Sequence, residues 1–231
     1  MKWVRRNDSE ANFEDRRGRG RGKKAVIGGA GAVIVALIAL LLGQDPFEAV
    51  NMVNSISPGG ESAEIVDPSR VNENEELKVF TLGVFNSANE VWNEIFRTQL
   101  QQNYQNPTLV TFTDATTSEC GGATSSVGPF YCPADYKMYI DLNFFHQLRN
   151  DFAMAYVTAH EVGHHVQKLL GILDQVNQYR GRISETEFNK LNVKLELQAD
   201  FLAGVWVNYA QRMNIIKLEP GDLESAISAT T

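Results

Sequence analysis

His160, Glu161 and His164 stand in the order H-E-x-x-H within TAHEVGHHVQ (158–167), an otherwise apolar stretch that holds three of the chain's four histidines. On a helix, residues i and i+4 lie one above the other. His160 and His164 can therefore both reach one tetrahedral ion. Glu161 is about 100° round the helix from His160, too far for a ligand but within reach of a water beside the ion. Two imidazoles and a carboxylate so spaced suit zinc-dependent hydrolysis. Zinc lowers a water's pKa toward ~7, and the carboxylate takes the proton as a carbonyl is attacked.

A catalytic zinc needs a third protein ligand. The candidates lie in NVKLELQADFLAGVWVNYA (192–210), where Glu196 and Asp200 again stand at i and i+4. Apolar residues surround most of this segment, which predicts a buried helix. A buried carboxylate is costly unless paired or bound to metal. Either acid could complete the site. The longer reach of Glu196 favours it as the ligand, with Asp200 fixing the tautomer of a zinc-bound imidazole. His165 points off the ligand face and reads as structural, His146 as a surface histidine. Tyr139 and Tyr156 are the candidate proton donors.

These residues must be positioned by a small set of elements. Apolar residues recur every three or four positions from Val79 to Leu100, predicting a long amphipathic helix from about residue 73. LVTFTD (109–114) and KMYIDL (137–142) read as strands, and 143–149 as a short helix. Helix 151–170 carries H-E-x-x-H and stops at Gly171. Ser184 and Glu187 form a capping box for a helix running to about Met213. EPGDLESAIS (219–228) begins a further helix. KMYIDL, just before the catalytic helix, could offer an edge for an extended peptide.

The amino-terminal part differs in kind. Residues 1–24 hold nine Lys/Arg against four acids, about +5 on a chain of net charge −7. Residues 25–42, AVIGGAGAVIVALIALLL, carry no charge and nearly match a ~30 Å hydrocarbon core. The RRGRGRGKK run before them is a positive-inside signal. Together they predict a basic cytoplasmic segment (1–24), a single anchor (25–43), a Pro/Gly-rich linker (44–72) and a catalytic domain (73–231) outside the cytoplasm. In an oxidising compartment Cys120 and Cys132, in a Gly/Ser-rich loop, form one disulfide. The apolar run that follows the basic head argues against nucleic-acid binding. The polar residues around H-E-x-x-H (His165, Gln167, Lys168) argue against an intramembrane protease.

The chain resembles the bacterial "putative neutral zinc metallopeptidases". The resemblance rests on the MKW start, SEANFEDRRG, the single anchor, CGGATSSVGPFYCPADYKMYIDLNFF, AYVTAHEVGHHVQKLLG and LELQADFLAGVWVNYA. It implies an α+β zincin-like fold, with His160, His164 and Glu196 as zinc ligands and Glu161 as base. Phe201 stands where many members carry Cys, a difference of packing. Relatives continue for tens of residues beyond Thr231, so part of the cleft wall is expected from such a continuation. The reading is a membrane-anchored zinc metallopeptidase acting on peptide or protein substrates at the bacterial inner membrane. The alternative is a dormant, zinc-stabilised protein-binding module, for which Glu161 would have no purpose.

Overall fold

The computed structural model describes residues 1–17, 68–145, 148 and 151–224. The expected anchor, His146 and all of the linker except its last five residues lie outside them. Among the described residues no helix is long and apolar enough to cross a membrane.

The described residues form a mixed α+β arrangement of three long helices, two short ones and small sheets. Helix α1, Pro68–Ile95, continues through a wider turn at Phe96–Leu100. It begins inside the stretch read as linker, five residues before the expected start. Its buried row Leu82, Phe85, Ala88, Trp92, Ile95 and Phe96 follows the helical spacing. After the short α2, Leu142–Phe145, come α3, Asp151–Leu169, and α4, Ile172–Asn177. Helix α5 spans Glu185–Arg212. Gly171, at φ 73°, ends α3 in a conformation that favours glycine. Ser184 and Glu187 form the expected reciprocal cap of α5. Helices α1, α3 and α5 share one core, in which the Trp206 indole N–H donates to Ser87 Oγ at 3.0 Å.

The main sheet has four strands. They are β2 (Phe13–Asp15), β3 (Thr108–Phe112), β6 (Phe130–Cys132) and β7 (Lys137–Asp141). Their order is β2-β3-β7-β6, parallel except for the antiparallel β6–β7 pair. The strand expected as a free edge, β7, is therefore internal. Its slot is closed by β6, an edge formed when the chain doubles back at Ala134–Tyr136, where Tyr136 has a positive φ of 58°. A hairpin of β4, Ala115–Ser118, and β5, Gly121–Thr124, precedes β6. Cys120, between these two strands, is disulfide-bonded to Cys132 at the end of β6.

The largest departure from expectation is at the amino terminus. Residues 1–17 are part of the folded body and not a separate basic segment. Strand β1, Lys2–Trp3, pairs antiparallel with β8, Ile216–Lys217, and β2 pairs with β3. The Met1 ammonium lies 2.7 Å from the buried carboxylate of Asp222. Charges that read as a soluble basic head are used internally. Arg5 chelates Glu90, Lys137 pairs with Glu14, and Arg17 bridges Asp15 and Glu75.

Candidate metal centre

Helices α3 and α5 carry the site, and glycine sets their separation. A Cβ on Gly163 would sit 3.1 Å from the Ala199 carbonyl oxygen and 3.3 Å from Ala199 Cα. With Ala199 and Ala203 fully buried opposite, small residues let the two backbones approach closely. That approach brings Glu196 up to the histidine pair.

Glu196 Oε2 lies 3.2 Å from His160 Nε2 and 3.3 Å from His164 Nε2. The two imidazoles stand edge to face, with centroids 4.8 Å apart. Zinc–nitrogen and zinc–oxygen bonds of roughly 2.0–2.1 Å in a tetrahedron put neighbouring ligand atoms about 3.3 Å apart. Three donors at that spacing, two neutral nitrogens and one carboxylate oxygen, fit the ion with little rearrangement. His160, Glu161 and His164 also offer ligand atoms within 4.8 Å of one another. Glu196 is the better third donor, because its oxygen stands against both Nε2 atoms at once.

The rear nitrogens are held as well. His160 Nδ1 meets Asp200 Oδ1 at 2.8 Å, and Asp200 in turn accepts from the Tyr156 hydroxyl. His164 Nδ1 meets Gln167 Oε1 at 2.9 Å. The Gln167 amide donates to the Leu195 carbonyl at 2.7 Å and to Gln198 Oε1 at 3.0 Å, which ties α3 to α5. Each imidazole thus has its Nε2 directed at Glu196 and its Nδ1 fixed from behind.

The electrostatics match this arrangement. Burial opposes charge on His160, but Asp200 and Glu196 outweigh it and push the pKa up to about 10. His164 is raised for the same reason, burial opposing and Glu196 prevailing. Glu196 is held well below the usual carboxylate range: burial resists, and the two histidines overcome it. Burial pushes Glu161 upward, moderated by His164 and His160. The Tyr131 backbone N–H also favours the charged form of Glu161, a smaller effect than burial, which places edge strand β6 near the carboxylate.

Other residues singled out in the sequence fall elsewhere. His165 is buried, with Nε2 2.6 Å from the Gln105 carbonyl and Nδ1 2.9 Å from the Tyr131 hydroxyl. This assigns the proton to Nε2 and makes His165 the link between α3 and β6. Neither candidate proton donor faces the cluster's open side. The Tyr156 hydroxyl is taken by Asp200 behind His160, and that of Tyr139 by Asp135 at 2.7 Å. Gln167, Gln105 and Tyr131 were not read from the sequence; only Gln167, three residues after His164 on the same helix, left a signal there. Helix α5 is buried on one side only. Val193, Leu197 and Phe201 are exposed, Phe201 by 70 %, because nothing described packs against the side of α5 turned away from α3.

Comparison with known proteins places the chain in a family. The "Uncharacterized protein YpfJ" of Escherichia coli K12 is 37 % identical over 242 residues, covering 99 % of this chain and 82 % of that protein. The "Uncharacterized protein Rv2575" of Mycobacterium tuberculosis H37Rv is 34 % identical over 211 residues, 83 % of this chain and 68 % of that protein. No solved structure matches the chain. The family described as "Putative neutral zinc metallopeptidase" matches residues 1–231. This chain belongs to that family.

Proposed function

We propose that the chain is a zinc-dependent peptidase of zincin-like fold, with His160, His164 and Glu196 holding the metal and Glu161 acting as general base. The observation that carries this reading is the convergence of Glu196 Oε2 on the two Nε2 atoms, at 3.2 and 3.3 Å. Zinc, when bound, supplies the charge that polarises a peptide carbonyl and lowers the pKa of water. The protein's part is acid–base work and orientation. Glu161, its carboxyl raised by burial, takes the proton of the attacking water and delivers it to the leaving nitrogen. Asp200 and Gln167 hold the imidazoles so that both Nε2 lone pairs face the same point.

Strand β6 supports a peptide substrate. Among the described residues it is an edge of the sheet, and its Tyr131 N–H lies near enough to favour charge on Glu161. An extended peptide added along β6 would pass beside the base. The disulfide between Cys120 and Cys132 supports a body on the extracytoplasmic face, and the apolar residues 25–43 support attachment to the inner membrane.

Metal analysis and peptide-library cleavage on wild type and Glu161→Gln test the reading. The variant should keep about one zinc per chain and lose ~10²-fold or more of its hydrolysis. Full activity in the variant would remove Glu161 as base, and loss of zinc would make it a ligand. Zinc-loaded wild type that cleaves no peptide would overturn the peptidase reading and leave a zinc-stabilised binding module.

A further inference from the structure

We propose that residues 1–17 lie on the same side of the membrane as the catalytic body, so that the apolar run 25–42 holds the chain to the bilayer without separating its two flanks. Strand pairing requires this arrangement, whatever the chain cleaves. Phe13, Glu14 and Asp15 pair with Leu109, Val110 and Thr111, and Lys2 and Trp3 with Lys217 and Ile216. Backbone ladders need their strands about 4.8 Å apart. No ladder can form across a hydrocarbon core of ~30 Å.

The docking of this segment is extensive. Besides both ladders, the Val4 N–H donates to the Ile215 carbonyl at 2.9 Å and the Arg16 N–H to the Thr111 carbonyl at 2.8 Å. Trp3 meets Phe80 edge to face. Arg6 lies against α1 so closely that a Cβ on Gly83 would come within 2.8 Å of its side chain. The Met1 ammonium and the buried Asp222 close the far end. Undocking would leave Asp222 buried without its charge partner and the other edge of β3 unpaired.

The sequence between the two flanks then limits how the membrane is met. Residues 18–67 contain one apolar run; the stretch after it carries Asp45, Glu48, Glu61, Glu64 and Asp67, with Pro46 and Pro58. Each acid at the bilayer centre costs about 2.5–3.5 kcal/mol, so this stretch cannot supply a return crossing. A single crossing by residues 25–42 would put residues 1–17 opposite the body and abolish both ladders. The basic run ahead of residue 25 therefore does not mark a cytoplasmic head; its first members, Arg16 and Arg17, are engaged with Glu14, Asp15 and Glu75. The pairing thus keeps residues 1–17 and the body on one side of the bilayer.

The test uses the full chain in native membranes, with two separately added cysteines, Ser9→Cys and Glu185→Cys, on the exposed surface of each flank. A membrane-impermeant maleimide is applied to right-side-out and to inverted vesicles, and labelling is read peptide by peptide, with detergent-opened vesicles as the full-labelling reference. Both positions should label in the same vesicle orientation. Labelling in opposite orientations would overturn the proposal, and recovery of the full chain in the soluble fraction would overturn its membrane half. A bulky Gly83→Leu substitution should increase protease access to residues 1–17 on that same side; exposure of the segment on the opposite face would again refute it.

Discussion

Asp200 and Glu196 grip opposite edges of one imidazole: Asp200 Oδ1 is 2.8 Å from Nδ1 of His160, and Glu196 Oε2 is 3.2 Å from its Nε2. Two carboxylates one helical turn apart on α5 thus have different tasks. Only Glu196 also reaches His164, at 3.3 Å. Glu196→Ala is expected to abolish stable zinc binding, whereas Asp200→Asn should weaken it roughly 10–100-fold and leave partial activity. Tyr156→Phe, which removes only the hydroxyl on Asp200, should have a smaller effect than either. Zinc titration against a chelator of known affinity measures all three. An empty site in Asp200→Asn beside a full one in Glu196→Ala would exchange the two roles.

Metal and protons compete for the cluster. Burial opposes charge on His160, but Asp200 and Glu196 raise its pKa to about 10, so without metal it is expected to hold a proton at neutral pH. Its raised pKa stabilises the metal-free fold below the unfolded value of ~6.5, and that contribution is lost as pH rises toward about 10. Zinc uptake at pH 7 must displace the proton. Calorimetry in buffers of different ionisation enthalpy should show proton release on binding, and zinc affinity should fall with acidification. Heats that do not change with buffer would contradict a protonated His160.

Gly163 is the spacer between α3 and α5. Gly163→Val would drive two branches into the Ala199 backbone, already 3.1 Å from a single added Cβ. Overpacking of this kind costs about 1–3 kcal/mol, and it would also move Glu196 off the histidines. Chemical denaturation together with zinc content should show both losses. Wild-type zinc affinity in Gly163→Val would mean that the helix separation does not position Glu196.

His165 gives the fold an acid limit. Burial lowers its pKa to about 4, partly offset by the Gln105 carbonyl, against ~6.5 in the unfolded chain. The unfolded state then binds the extra proton between those values. Stability is complete above about pH 6.5 and declines as pH falls toward 4, by up to ~3 kcal/mol. Denaturant midpoints across this range should slope for wild type and flatten for His165→Gln. Equal slopes would show that another group sets the limit.

The disulfide ties the β4–β5 turn at Cys120 to the end of β6 at Cys132, twelve residues apart in sequence. Cys120→Ala with Cys132→Ala is expected to cost about 3 kcal/mol by loop-closure entropy. It should also loosen β6, the edge that carries Tyr131 to Glu161 and His165. Thermal unfolding and hydrogen exchange at Phe130–Cys132 measure the two effects. Unchanged protection of β6 would show that pairing with β7 alone holds the edge.

Much of this protein is determined locally by its sequence. The i, i+4 spacing puts His160 and His164 on one helical face and Glu196 and Asp200 on another. The capping pair Ser184/Glu187 starts α5, and Gly171 stops α3; each depends only on neighbours within about one turn. Other features are decided by residues far apart in the chain, which periodicity does not report. Glu196 becomes the carboxylate at both Nε2 atoms because Gly163 and Ala199 let two helices close together. The edge strand is β6 and not β7, since a doubled-back segment fills the slot that β7 alone would leave. His165 finds the Tyr131 hydroxyl across 34 residues. The amino-terminal arginines look like a solvated basic head in sequence, because their partners, Glu75 and Glu90 among them, stand 58 and 85 positions away. Charge composition records how many ions a segment carries, but only the tertiary structure brings each to its partner, and here that pairing draws residues 1–17 into the body.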